Sequence, residues 1–423
     1  MKHTMTKYTK IALTAASVAA SVACANQAMA QSDDALLNKL VQKGILTEAE
    51  AKDLSKENDK AFSKNLSANL GLPAWVSSFK LNGDFRGRLD YLGSDNSAFT
   101  DRYRLRYRVR AGITAKLQDD FEVGLTLGSG DSGGNALSNN TTLENNGTKK
   151  PIWIDKAYAK WTPIHDGEWT LGTTIGKMGN PFQLSAMVFD PDYTPEGGAL
   201  QVGYKINDHH SLQFNTAGFV VDELGGSSHD PYLLGAQALW NAKWSSKVDS
   251  SVGIAAFGLG NRAGNDAALA NGNSGNTQNN FNPYVLSGSV TYKLDHFPLF
   301  PGECPVKLAG EYMDNPAVSS NGEGYSIGAT LGKAGKRGTW DLSYRYQRLE
   351  ADAWYEGFVD DDNVAYDGGM IHGTNIKGHL VKLNYAITDA LTFTFTGYFN
   401  DLINAGPANN GGTHIMADLM WKF

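Results

Sequence analysis

From Phe79 onward, hydrophobic positions recur at every second residue. In the first run Phe79, Leu81, Phe85, Leu89 and Tyr91 alternate with Lys80, Asn82, Asp84, Arg86, Arg88 and Asp90. The next run sets Tyr103, Leu105, Tyr107, Val109, Ala111 and Ile113 against Arg102, Arg104, Arg106, Arg108 and Arg110. A third sets Phe121, Val123, Leu125 and Leu127 against Glu122, Gly124 and Thr126. A period of two marks β-strands with one apolar and one polar face. Sixteen such strands are predicted, at 78–92, 101–117, 120–128, 151–162, 168–177, 199–206, 211–220, 232–245, 249–260, 284–294, 305–314, 324–333, 339–350, 375–387, 391–400 and 412–423. The fourth alternates poorly around Asp155 and Lys156.

The connections decide what the apolar face meets. Short ones, as at 118–119, 207–210 and 246–248, alternate with long Gly/Asn/Asp-rich ones at 129–150, 178–198, 261–283 and 351–374. Short turns on one rim and long loops on the other, with an even strand count, are the layout of a transmembrane barrel. The predicted class is therefore all-β, a transmembrane antiparallel barrel of about 16 strands over residues 78–423. The last strand alternates Ile415, Ala417, Leu419, Trp421 and Phe423 with His414, Met416, Asp418, Met420 and Lys422, and its terminal Phe423 is read as an insertion signal.

Ahead of the barrel the period is helical. Leu36, Leu37, Leu40 and Val41 share a helical spacing before Gly44, and Thr47 with Glu50 forms a capping box. Residues 31–77 are expected to be a short helical segment and linker. Residues 1–30 read as a removable signal: Lys2, Lys7 and Lys10, an apolar core from Ile11 to Ala23, and Ala28-Met29-Ala30 before Gln31. The implied location is the outer membrane of a Gram-negative bacterium, with membrane lipid as one partner.

Charge refines this picture. The formal net charge is -7, and removal of residues 1–30, with three lysines and no acid, leaves -10. That excludes a general nucleic-acid binder. Arg102, Arg104, Arg106, Arg108 and Arg110 nevertheless form a ladder about 7 Å apart, from a rise of about 3.3 Å per residue. Adjacent members repel by about 0.6 kcal/mol in water. Facing lipid, each would cost roughly 2–4 kcal/mol near the midplane, so the ladder must face a wet lumen. Arg86 and Arg88 share its phase, and opposing acids would relieve the repulsion. The loop at 177–198 is unusually apolar and holds three prolines. Folded into the lumen, it would set Asp190, Asp192 and Glu196 against the arginines and create a transverse field. An external loop packed over the rim is the competing arrangement.

Catalytic and metal signals are weak. No histidine accompanies a nucleophile motif, no Cys/His cluster suggests zinc, and Cys304 is read as an ordinary buried or turn residue. The run Asp360-Asp361-Asp362-Asn363 reads as a solvated acidic loop tip rather than a Ca²⁺ site. We expect no catalytic residues, metal or cofactor.

Several stretches resemble the proteobacterial "putative porin" family of outer-membrane proteins. They are Leu40-Val-Gln-Lys-Gly-Ile-Leu-Thr, Asp101-Arg-Tyr-Arg-Leu-Arg-Tyr-Arg-Val-Arg, Lys150-Pro-Ile-Trp-Ile-Asp-Lys-Ala-Tyr-Ala-Lys-Trp, Ile175-Gly-Lys-Met-Gly-Asn-Pro-Phe and Thr194-Pro-Glu-Gly. The basic strand and the Asn-Pro-Phe loop more distantly resemble phosphate-selective porins, but no lysine cluster of a phosphate site is evident. The resemblance implies passive diffusion of small hydrophilic solutes and ions, and a homotrimer by analogy with general porins. Two alternatives stay open: an anion-selective, solute-specific channel using the same arginines, and a plugged structural or adhesive barrel. An outer-membrane hydrolase is a remoter one.

Overall fold

The computed structural model describes residues 73, 75–95, 99–226, 228–261, 281–367, 370–405 and 411–423, together with 40, 41, 47, 50 and 54. The proposed signal at 1–30 lies outside the described residues. Among the described residues nineteen strands are present: β1 (Val76–Ser94), β2 (Arg102–Leu117), β3 (Phe121–Ser129), β4 (Thr141–Thr142), β5 (Ile152–Ile164), β6 (Trp169–Lys177), β7 (Glu196–Lys205), β8 (His210–Val220), β9 (Tyr232–Lys243), β10 (Val248–Gly260), β11 (Tyr284–Leu294), β12 (Cys304–Asp314), β13 (Glu323–Gly332), β14 (Trp340–Leu349), β15 (Ala365–Asp367), β16 (Met370–His372), β17 (Ile376–Ala386), β18 (Leu391–Leu402) and β19 (Gly412–Lys422). All sixteen expected strands are there; β4, β15 and β16 are short additions within long loops.

The chain divides into two compact units, residues 1–81 with 113–123 and residues 82–112 with 124–423, so β1, β2 and β3 are shared between them. In the first, Leu40, Val41, Glu50 and Leu54 are helical. Thr47 and Glu50 exchange the reciprocal bonds of a capping box, Thr47 N–H to Glu50 Oε2 at 2.9 Å and Glu50 N–H to Thr47 Oγ1 at 3.2 Å. Gln118 N–H donates to Trp75 O at 2.8 Å, and the adjoining turn places Asp119 and Asp120 at φ 58° and 63°.

The second unit is the barrel. Successive strands pair antiparallel, and β19 returns to β1 with Asp84 opposite Lys422 and Ser94 opposite Gly412. Among the described residues each barrel strand has a neighbour on both sides, which is what a sheet facing hydrocarbon needs. On β10, Val252 and Ile254 are each 54 % exposed, while Ala255, Phe257 and Leu259 of the other phase are buried. Exposed Leu234, Leu286, Leu308, Ile327 and Leu342 continue the outer apolar band. Trp169, Trp240, Trp244 and Trp421 lie near the short turns, and Tyr103, Tyr232, Tyr284, Tyr312 and Tyr325 near the long loops. Two aromatic girdles flanking an apolar band mark both membrane interfaces.

β5 is irregular. Its register against β6 shifts between Trp161 and Ile164, and Ile152, Trp153 and Ile154 are all exposed in succession. Cys304 is fully buried at the start of β12.

Ile327 is 64 % exposed in mid-strand. Ile327→Arg should therefore lower stability in lipid bilayers by roughly 2–4 kcal/mol, with Ile327→Leu near neutral. Urea-gradient unfolding in vesicles checks both.

Candidate functional site in the barrel lumen

The inward phase of β1, β2 and β19 carries opposite charges at matching heights. Arg108 and Arg110 both reach Asp84 of β1, at 3.0 and 2.8 Å. Arg104 holds Asp90 with a two-pronged contact at 3.0 and 2.9 Å, and Arg106 lies 3.8 Å from Asp90 and 3.7 Å from Asp131. Arg88 grips Asp418 of β19 through Nε and Nη2, at 2.8 and 3.0 Å. Arg86 donates to Asn140 Oδ1 at 2.7 Å and lies 3.8 Å from Asp418. Arg102, at the exposed end of β2, stands apart from this network. Paired guanidinium and carboxylate groups turn the self-repelling ladder into a cross-linked wall.

The loop from 178 to 195 folds inward. Met178, Phe182, Met187, Val188, Phe189 and Tyr193 are buried in one cluster with Phe219, Leu233, Phe257 and Leu259 from the inner faces of β8, β9 and β10. The apolar residues of the loop thus pack against the inner wall of these strands. Gln183 N–H donates to Gln237 Oε1 at 2.9 Å, and Ser185 N–H to Glu311 Oε1 at 2.8 Å, fixing the loop to β9 and β12. At its far end Asp192 meets Arg108 and Arg110 at 3.1 and 3.2 Å. Asp192 thus lies beside these two arginines. Asp190 is not; it turns toward other aspartates. Glu196 opens β7 and pairs with Lys177 at 3.2 Å, away from the arginine wall.

A second loop, 350–375, shares the lumen, and this is the main correction to the sequence reading. Trp354 is fully buried, and with Ala353, Tyr355, Phe358 and Val359 it joins the same cluster. Trp354 Nε1–H donates to Val188 O at 2.8 Å, Asp190 N–H to Phe358 O at 2.7 Å and Asp360 N–H to Ala186 O at 3.1 Å. Asp360 and Asn363 of the acidic run are therefore buried, while Asp361 keeps contact with the open lumen. Asp362 accepts from Arg88 at 2.9 Å, Tyr398 OH donates to Asp360 at 2.9 Å, and Asn400 donates to Asn363 at 3.0 Å. Its signal in the sequence was the apolar run Ala353 to Val359, as dense as that of the first loop. The arginine it meets lies far away along the chain.

The carboxylates of Asp190, Asp360 and Asp361 converge, with oxygens within 4.8 Å of one another. Burial, then the charges of Asp360 and Asp361, push the Asp190 carboxyl up to about 9. Asp361 is likewise pushed well up by burial and by Asp362 and Asp360. Burial would raise Asp362 too, but Arg88, His414 and Arg86 hold it far below the usual carboxylate range. The two loops leave open a cavity of about 720 Å³ along the arginine wall and one of about 600 Å³ against β9 to β14 and β17.

A family pattern described as "Putative porin" matches residues 92–299 and 304–423. No curated protein matches in sequence. Among solved structures, OprB of Pseudomonas putida is similar with a TM-score of 0.53 at 11% identity, covering 82% of this chain and 94% of that one. A mutant of the Rh. blastica porin is similar at a TM-score of 0.42 and 11% identity, over 82% of this chain and 100% of that one.

A proton bound by the folded loop junction is not bound by the unfolded carboxyl, whose ordinary value is near 4. Stability of the junction should therefore fall as pH rises from about 4 through about 9. Asp190→Asn should flatten that dependence. Limited proteolysis of the loops in the folded barrel at pH 5, 7 and 9 measures it.

Proposed function

The chain belongs to this porin family, and we propose that it is a passive diffusion channel for small hydrophilic solutes and ions. The observation that carries the reading is the polar, charge-lined space beside the two infolded loops. The loops narrow the lumen without occupying all of it. Arg108 and Arg110 on the wall and Asp192 on the loop bound the narrowing with opposite charge. Fixed opposite charges at a constriction order water and sort solutes by size and charge. The chemistry needed is solvation alone, so the reading assigns no catalytic step and no cofactor.

The apolar band and its aromatic girdles support insertion in the outer membrane. Residues 1–30 have the composition of an export signal, residues 31–77 would precede the barrel as a helical segment and linker, and trimeric assembly fits the family. These finer points belong to the proposal.

Purified, folded protein in planar bilayers should give discrete, ohmic conductance steps in KCl. Folded, heat-modifiable barrel without current would overturn the channel reading. Asp192→Asn removes the loop charge that faces Arg108 and Arg110, so its reversal potential under a KCl gradient should move toward anion preference. An unchanged potential would remove Asp192 from the constriction.

A further inference from the structure

The arginine wall carries little free charge, because Arg88, Arg104, Arg106, Arg108 and Arg110 each have an aspartate within reach. Three further cations make no direct ion pair, although Arg345 acts electrostatically on Glu311 and Asp360 and Lys382 also borders the cavity along the arginine wall. Lys307 of β12, Arg345 of β14 and Lys382 of β17 all line the cavity of about 600 Å³. Among the described residues none of the three forms an ion pair, and Arg345 Nε and Nη2 are buried without an acceptor. The one carboxylate lining this cavity, Glu311, is engaged by the Ser185 N–H and hydroxyl of the infolded loop.

Strand register arranges these groups. Lys307 lies opposite Thr330, Thr330 opposite Ser343, and Ser343 opposite Lys382, so one level of four adjacent strands reads ammonium, hydroxyl, hydroxyl, ammonium. Thr330 and Ser343 hydroxyls are hydrogen-bonded at 3.1 Å. At about 4.8 Å per strand, the two lysine Cα atoms are roughly 14 Å apart. Arg345 stands one pleat nearer the loops and diagonal to Lys382, at about 7–8 Å. Gly328 faces Arg345 across the register, and a Cβ there would lie 3.3 Å from Arg345 and 2.7 Å from Tyr344 O. Glycine thus permits the close approach of β13 to the backbone at Tyr344 and Arg345. Ser287, Ser289 and Ser326 line the same cavity.

We propose that Lys307, Arg345 and Lys382 form the solute-selecting site of the channel, and that it takes small hydroxylated carboxylates. The inference rests on the channel reading above. A bare halide meets these cations one at a time. A hydroxylated carboxylate spans the row, its charge against guanidinium or ammonium and its hydroxyls on the serines. Charge-assisted bonds of this kind are about twice as strong as neutral ones, while several separated partners still allow release into the next site.

Gluconate is the probe, added to one side of a bilayer holding the full chain in KCl. It should reduce the chloride-carried current in a saturable way. Arg345→Gln, and separately the Lys307→Gln/Lys382→Gln double variant, should raise the half-reducing concentration about tenfold, with KCl steps retained. Lys336→Gln, in an exposed short turn, should leave it unchanged. Heat-modifiable mobility reports folding, and the two variants lie on different strands, so a misfolded one does not remove the test. Intact KCl steps with no saturable gluconate effect, or with equal effects in all variants, would overturn the inference alone. Absence of any KCl current would overturn the channel reading and the inference with it.

Discussion

The rest of the structure depends on the pairing of β19 with β1. A backbone N–H or C=O left open toward hydrocarbon costs several kcal/mol, so a sheet with one lipid face must close on itself. With sixteen strands the closed sheet encloses more space than the side chains of its own wall can fill. That surplus space has two consequences. The inner phase of each strand is free to be polar, and the loops have somewhere to go.

The inner wall and the loops then stabilise one another. A run of arginines facing the lumen is self-repelling on its own strand. It becomes tolerable because Asp84 and Asp90 stand on the next strand, Asp418 on the strand that closes the barrel, and Asp192 and Asp362 on the two loops. The loops in turn are held at the opposite wall by an apolar cluster around Phe189 and Trp354. Each loop thus ends in charge on one side of the lumen and in aromatic packing on the other. Beside this bridge lie a cavity along the arginine wall and a hydroxyl-rich one lined by Lys307, Arg345 and Glu311, with Lys382 bordering both.

Much of this was legible because one residue decides one face. Arg104, Arg106 and Arg108 could only be inward once Leu105, Tyr107 and Val109 alternated with them, and Asp192 could be matched to arginines by sign. The reading failed where burial depends on a distant partner. Asp360 to Asp362 look like a solvated tip until Arg88 is seen beside Asp362. Glu196 looks like a lumen acid until the chain turns into β7 beside Lys177. Lys307, Arg345 and Lys382 are scattered single cations along the chain, and only register sets them in adjacent rows.

The sequence by itself determined the strands, their two faces, the alternation of short and long connections, and hence a closed barrel, because a period of two is a local property written in consecutive residues. It also determined that the Arg102–Arg110 strand must face water, because the cost of charge in lipid is large at any position near the midplane. Only the tertiary structure decided which carboxylates neutralise that strand, that two loops rather than one enter the lumen, and where unpaired positive charge remains. Those outcomes rest on side chains brought together from distant parts of the chain by closure and register, and no local pattern encodes such meetings.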